Sequence, residues 1–420
     1  MTDDERGPGD RSALSRCIAV DRDAFASDYW SRRPLLTTAA ESDHDFSDLF
    51  SRDDVDELIS SRALRTPFIR MAKEGTVLPP ARYTASGGFG AEIGDQVSSE
   101  KVLAEFADGA TLVLQGLHRT WPPIAEFTRR LSAELGHPCQ VNAYITPASS
   151  RGFDPHYDVH DVFVLQISGE KHWVIHEPVH PDPLRDQPWS DHREAVATRA
   201  AGTPAIDATF RPGDALYLPR GWIHSATALG GISIHLTIGV AAYTRHEIVQ
   251  EAIARAADTA ALRASLPLGF DPADTDALRP IVEETIADLI AALEAGAPAA
   301  ASAVSRSLSE RWAKDTPAAP VRPLATTELI AALDGTDPAD IVVTMRPGSH
   351  PQVATTEGTV AIRLPQKTVT LPAEASAAVR RLLSDAPVSA QDLPGLDAGS
   401  ALVVVRRLLR EGIVVPAARD

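Results

Sequence analysis

With 420 residues, 44% hydrophobic and 23% charged, the chain has room for two or three globular domains, and no stretch approaches the roughly 18 apolar residues of a membrane span. Two cysteines, Cys17 and Cys139, exclude a disulfide framework and, with no apolar leader after Met1, suit a reducing cytoplasm. A net charge of -17 speaks against an autonomous nucleic-acid binder and for a basic partner such as a ribosomal protein segment, unless it only keeps the protein soluble.

In chain order, residues 1–15 are polar and expected to be disordered. Phe25–Leu36 reads as a short helix stopped at Pro34, and helices alternate with loops to Leu135. From Cys139 the pattern turns to short β-type runs. Gln140–Thr146 is one strand; Val162–Ser168 and Lys171–His176 flank Gly169-Glu170 as a hairpin. Ala215–Leu218 follows a Pro-Gly-Asp turn, and Gly230-Gly231 joins Ile223–Leu229 to Ile232–Val240 as another hairpin. Such strands and turns predict a double-sheet jelly roll, with a ligand site in the barrel mouth.

After Val240 the apolar period becomes helical over Glu247–Ala264 and Asp276–Ala295. The Ala/Pro/Ser-rich stretch from Gly296 to about Thr326 reads as a linker with one embedded helix. The end alternates strands (Thr359–Leu364, Thr368–Leu371, Ile413–Val415) with helices (Ala373–Leu383, Gly399–Glu411), a pattern resembling a winged helix. The expected organisation is a catalytic domain over 16–245, a helical region and linker over 246–325, and a winged-helix-like domain over 326–420.

Three residues carry the chemistry. His156 and Asp158 form a His-x-Asp pair, and in an extended strand residues i and i+2 face the same side. His224 stands in the Gly213-Asp214-Ala215-Leu216-Tyr217-Leu218-Pro219-Arg220-Gly221-Trp222-Ile223-His224 segment. Two imidazoles and one carboxylate on one face of an ion leave open positions for substrate and dioxygen, which suits non-haem Fe(II). Eight of the thirteen histidines lie between 156 and 235, so most are not ligands. His160 shares the face of His156 and Asp158 only if the strand is regular and is read as a non-ligand. His172, His176, His180 and His192 are read as surface or supporting histidines. Lys171 is one of only 5 lysines and opens a strand, where its ammonium could hold the distal carboxylate of a dicarboxylate; alone, it would as readily be a hairpin-end lysine reaching solvent.

At these residues the chain resembles the JmjC-type ribosomal oxygenases, Fe(II)- and 2-oxoglutarate-dependent protein hydroxylases of the cupin superfamily. The similar runs are Asn142-Ala143-Tyr144-Ile145-Thr146-Pro147, His156-Tyr157-Asp158, Phe163-Val164-Leu165-Gln166 and Gly169-Glu170-Lys171-His172-Trp173. Pro219-Arg220-Gly221-Trp222-Ile223-His224, Ser233-Ile234-His235-Leu236-Thr237 and, near the start, Tyr29-Trp30 with Arg33-Pro34-Leu35-Leu36 are similar too. The resemblance implies a mixed α+β fold: a JmjC double-stranded β-helix barrel with N-terminal helices, a helical dimerisation region and a C-terminal winged helix. It implies iron on His156, Asp158 and His224, the 2-oxoglutarate C5 carboxylate on Lys171, and Asn142, Tyr144 and Thr237 around the cosubstrate or substrate. It also implies O2 as oxidant, a ribosomal protein as substrate and a homodimer. Lysine at 171, where arginine hydroxylases of the family carry arginine, leans the target towards histidine; Val159, often acidic in relatives, departs from the pattern.

Two other readings stay open. The same iron chemistry could act on a small molecule or remove an N-methyl group, with selectivity set at the barrel rim, around the glycine-rich Arg82–Gly94 loop. The chain could instead be a winged-helix DNA-binding protein with a vestigial barrel, for which Arg406, Arg407 and Arg410 on one helix would speak. Residues 346–420 are close to charge-neutral, without the basic footprint of a recognition domain.

Overall fold

A run of β-branched and aromatic residues, Asp161-Val-Phe-Val-Leu-Gln-Ile, starts the longest pairing in the molecule. The computed structural model describes residues 12–417, apart from 43, 74, 91, 149–153 and 385, and divides into Met1–Ala242 and Tyr243–Asp420. Most of the expected disordered segment, 1–11, lies outside the described residues. Residues 12–17 form turns that bury Ala13, Leu14 and Cys17, so order begins earlier than the polar sequence suggested.

Among its described residues the first unit has eleven strands: β1 Leu35–Thr37, β2 Ile69–Lys73, β3 Thr76–Val77, β4 Thr84–Ala85, β5 Gln96–Val97, β6 Thr111–Leu114, β7 Cys139–Thr146, β8 Asp161–His176, β9 Ile206–Phe210, β10 Ala215–Leu218 and β11 Ile223–Val240. They pair antiparallel in the order β1-β10-β8-β11-β7-β6-β2-β3, with β9 also on β8 and β4 pairing with β5. This is the jelly-roll core expected from the turn spacing, carried with helices such as Pro122–Leu135. Several elements differ from expectation. The Phe25–Leu36 helix is confined to Arg22–Tyr29, and Leu35-Leu36 pair with β10, because Pro34 ends helical hydrogen bonding before them. Strands β2 and β6 occupy part of the region read as helices and loops; they are too short to show a period of their own.

The main correction concerns the hairpins. β8 and β11 are each one continuous strand, and they lie side by side for nearly their whole length. Pairs run from Ile223–His176 to Leu229–Glu170, break, and resume from Ile234–Ser168 to Val240–Asp161. The two glycine sites are therefore facing bends, not turns. Gly169 has φ 67°, and a Cβ there would stand 2.2 Å from the Ile232 carbonyl oxygen. Gln166 secures the bend, its amide donating to the Ser168 and Gly169 carbonyls and to Ser233 Oγ.

Alternation then assigns each side chain to a layer. Val141, Ala143 and Ile145 of β7, Phe163 and Leu165 of β8, and Ile234, Leu236 and Ile238 of β11 join a core with Phe25, Leu117 and Ile124 from the N-terminal segments. Val162, Val164, Leu216 and Leu218 pack instead with Trp173, Ile175 and Phe210. The side of this second core is where Tyr144, Thr146, Lys171, His224 and His235 meet in one cavity.

The second unit begins with helices Arg245–Ala256, closed by a Thr244/Glu247 capping box, and Thr275–Asp315. The latter overturns the expected linker: it runs through Gly296 and Pro298 to Asp315, because alanine, the strongest helix former, dominates that stretch. It buries no residue, and by length and mean hydropathy (1.3 over 18 residues) it is long and apolar enough to cross a membrane, in contrast to the expectation from its sequence. Its alanines raise the mean without a long run of large apolar side chains. Strands β12 Val342–Met345, β13 Gln352–Thr356, β14 Thr359–Leu364, β15 Lys367–Pro372, β16 Val388–Ser389 and β17 Val414–Pro416 form the sheets β16-β12-β17 and β13-β14-β15. Helices Pro323–Ala332, Ser376–Leu382 and Ala398–Arg410 accompany them. Ala398–Arg410 buries Ala401, Val404, Val405, Leu408 and Leu409, while Arg406 pairs with Asp334 and Arg407 with Glu411. Two of the three arginines that suggested a DNA-reading helix are thus engaged within the protein.

Candidate metal centre

His156 is not on a regular strand. It makes a single antiparallel bridge to His224 at the start of β11, and the next contact along, Gly221 N to Asp158 O at 3.0 Å, holds the motif against the turn before His224. Alternation survives across this short extended stretch: Tyr157 between the two ligands is 1% exposed, points into a separate core with Val196 and Ile223, and donates its hydroxyl to the Gln187 carbonyl. His156, Asp158 and His224 then offer one ligand atom each, all within 4.8 Å of one another. Among the described residues this is the one such cluster of His, Cys, Asp and Glu.

The donor set fits a divalent ion. His156 Nδ1 lies 2.7 Å from the Asp154 carbonyl and His224 Nδ1 3.1 Å from the Trp222 carbonyl. A carbonyl only accepts, so each Nδ1 carries the proton and each Nε2 is the lone-pair nitrogen, the tautomer a metal needs. Burial, then the neighbouring His156, push the His224 imidazole down to about 4, although Asp158 opposes them. Burial raises the Asp158 carboxyl, but His160, His224 and His156 together bring it below its ordinary value. A neutral imidazole beside an ionised carboxylate is the protonation state that binds metal. The turn itself is fixed by Asp161, fully buried, which accepts from Tyr217 Oη at 3.0 Å and from Arg220 N at 2.9 Å.

The ligands open onto a cavity of about 270 Å³. Lys171 lies in its wall, 3% exposed, its Nζ 3.3 Å from Thr146 Oγ1 and with no carboxylate partner among the described residues. Burial alone pushes this ammonium down to about 7. A buried cation without a counter-ion is costly, and an anionic ligand would relieve it. The alternative of a lysine reaching solvent is excluded by this burial.

Tyr144 and Thr237 line the same cavity, whereas Asn142 is outside its lining and accepts from Gly116 N at 3.0 Å. Tyr144 stacks on His235 at 5.1 Å and 5°, and burial raises its hydroxyl above the ordinary value. His235, Trp173 and Arg70 also line the cavity and were not singled out from sequence. Trp173 and His235 stand two residues from Lys171 and Thr237, so the strand period could have found them; Arg70 belongs to β2, which left no signal. Of the other histidines, His160 Nδ1 rests 3.3 Å from the Asp161 carbonyl, His172 pairs with Asp207 at 2.6 Å, and His180 stacks on His192. His176 is buried rather than on the surface.

Residues 120–248 match the family model described as JmjC domain. The chain is 28% identical over 229 residues to the bifunctional lysine-specific demethylase and histidyl-hydroxylase NO66 of Aedes aegypti, covering 51% of this chain and 32% of that protein. It is 42% identical over 111 residues to ribosomal oxygenase 2 of Mus musculus, covering 26% and 22%. It thus spans about a third or less of the length of these curated relatives. Among solved structures, the ribosomal oxygenase YcfD of Escherichia coli superposes with a TM-score of 0.50 at 18% identity over 95% of this chain and 99% of that one. A second structure of YcfD, in complex with cobalt and 2-oxoglutarate, gives the same score. At this identity the likeness is one of fold.

Proposed function

We propose, from the premise that the chain belongs to the JmjC ribosomal oxygenase family, that it is an Fe(II)- and 2-oxoglutarate-dependent oxygenase hydroxylating a ribosomal protein side chain, histidine ahead of arginine. The observation that carries this reading is the pairing of a His-Asp-His cluster with a buried, counter-ion-free Lys171 in one cavity. His156, Asp158 and His224 would hold the iron, and Lys171 the far carboxylate of 2-oxoglutarate. With both bound and O2 supplied, the centre would couple oxidative decarboxylation of 2-oxoglutarate, one oxygen atom of O2 entering succinate as CO2 leaves, to insertion of the other into a C–H bond.

The chain's own residues bind, orient and exclude. Lys171 and Thr146 fix one end of the cosubstrate, while the rigid Tyr144–His235 stack and Trp173 shape the wall beside it. The apolar Val162, Val164 and Leu218 keep water out. Tyr144 keeps its proton and can donate a hydrogen bond to the bound ligand. Mass spectrometry of ribosomal proteins from cells with and without this gene tests the substrate: one extra oxygen atom on a histidine supports the reading. Purified enzyme that turns over 2-oxoglutarate with a small molecule and with no ribosomal protein would overturn it.

The family premise and the helices of the second unit together support a homodimer in the cytoplasm. On the apolar sides of these helices Leu262, Leu289 and Leu293 are half-buried within the protomer, while Ile290 is exposed. Val282, Ile286 and Ile290 recur every fourth residue at 48–52% exposure, an apolar stripe on one side of the long helix. Acidic Glu283 and Glu284 stand off that stripe and Glu294, one step of four after Ile290, ends it, which favours a second copy over a bilayer.

A further inference from the structure

The second unit contains a groove of about 1030 Å³, far larger than the metal cavity and beyond the range of pockets for single small ligands. One wall is the last turns of helix Thr275–Asp315, through Ser305, Arg306, Ser309 and Trp312; the other is His350 with Arg363 on β14. The neighbouring cations are committed: Arg311 pairs with Glu247 at 2.6 Å and lies over the Tyr243 ring, and Lys367 pairs with Glu411 at 2.8 Å. Arg306 and Arg363 are not. Neither side chain has an ion pair or hydrogen bond among the described residues, and both residues line the groove. Trp312 meets His350 edge to face at 6.0 Å, an aromatic pair lining the same groove as the two arginines.

Guanidinium groups grip phosphate through paired N–H donors, hydroxyls add further donors, and an indole face stacks on a base of any sequence. We propose that this groove binds a short single-stranded nucleic acid, its phosphates on Arg306 and Arg363 and a base on Trp312. With Arg306 and Arg363 as the basic residues of its lining, the groove offers contacts to about two phosphates and no extended basic track. Glu310, also on the groove wall, repels a third phosphate and can accept from a base amino group. The stripe Val282-Ile286-Ile290 takes no part in the lining, so the groove and the proposed dimer contact are separate surfaces.

Fluorescence anisotropy of labelled eight-nucleotide RNA and DNA single strands with the full-length protein tests this, across a salt series. Saturable binding is expected, with a slope of log affinity against log salt of about −1.4, the value for two phosphates on a single strand. Arg306→Glu and Arg363→Glu should each weaken binding at least about tenfold. Arg306→Lys should keep most of it, and loss of Trp312 in Trp312→Leu should remove base-dependent quenching of tryptophan fluorescence. Both arginines are exposed, so circular dichroism melts should match the wild type. No saturable binding, binding indifferent to both charge reversals in folded protein, or equal capture of a phosphopeptide of the same charge would each overturn the proposal. The readout is binding alone and involves no oxygenase turnover.

Discussion

His156 and His224 are hydrogen-bonded to each other twice through their backbones, His224 N to His156 O at 2.8 Å and His156 N to His224 O at 3.2 Å. Their rings lie 4.4 Å apart at 52°. Two residues 68 positions apart are thus a directly paired couple, and the ligand geometry is set by backbone before any ion arrives. Removing the carboxylate should therefore abolish metal binding without disturbing the bridge.

Asp158→Ala is expected to keep its circular dichroism spectrum, lose stoichiometric iron on elemental analysis and lose 2-oxoglutarate turnover. A folded Asp158→Ala protein that retains iron would remove Asp158 from the ligand set.

Lys171→Ala leaves a cosubstrate carboxylate buried without its cation, a loss of about 3–5 kcal/mol and hence roughly two to four orders of magnitude in affinity. Calorimetric titration of protein loaded with a redox-inert divalent ion measures it directly. Unchanged affinity would take Lys171 out of the binding site.

The same lysine makes binding pH-dependent. Burial holds its ammonium at about 7, below its ordinary value, so above that pH the empty site is mostly neutral. A bound dicarboxylate favours the charged form, so binding at pH 8 should take up close to one proton, and affinity should fall as pH rises through 7. Calorimetry in buffers of different ionisation enthalpy reads the uptake, which should vanish in Lys171→Met.

Gly169 and Gly230 both have positive φ but differ in surroundings. Gly230→Ala, with nothing within 4 Å of its new Cβ, should cost roughly 1–2 kcal/mol from the backbone alone. Gly169→Ala meets the Ile232 carbonyl and should cost about 1–3 kcal/mol more. Equal melting temperatures for the two variants would refute the paired-bend description.

Ile290→Asp places a charge on the exposed stripe of the long helix. Light scattering at micromolar concentration should show a dimer for the wild type and a shift towards monomer for the variant. A wild-type mass equal to one chain, 44.9 kDa, would refute the dimer.

The ligand residues were legible because their spacing is local and their chemistry rare: His-x-Asp and Gly-Trp-x-His constrain a few side chains whatever the surrounding register. The strands of the barrel were legible from β-branched runs and their flanking turns. What sequence could not tell was the meaning of its glycines. Gly169-Glu170 and Gly230-Gly231 are as compatible with a turn as with a bend, since glycine permits either backbone and local propensity does not distinguish them. Only the pairing of β8 with β11 along both arms decides for a bend. That decision carries the site. Before the bends the cavity takes Val162 and Val164 of β8 and His224 and Ala226 of β11, even positions joined only by Ser225; beyond them it takes Lys171, Trp173, His235 and Thr237, all odd. Lys171 and His224 share one arm in an unbroken register, His224 opposite Ile175 and Lys171 opposite Ala228; a strand of unbroken period would turn His235 and Thr237 away from them, so the bend, a long-range packing of glycine against carbonyl, brings the side chains of both arms into one cavity.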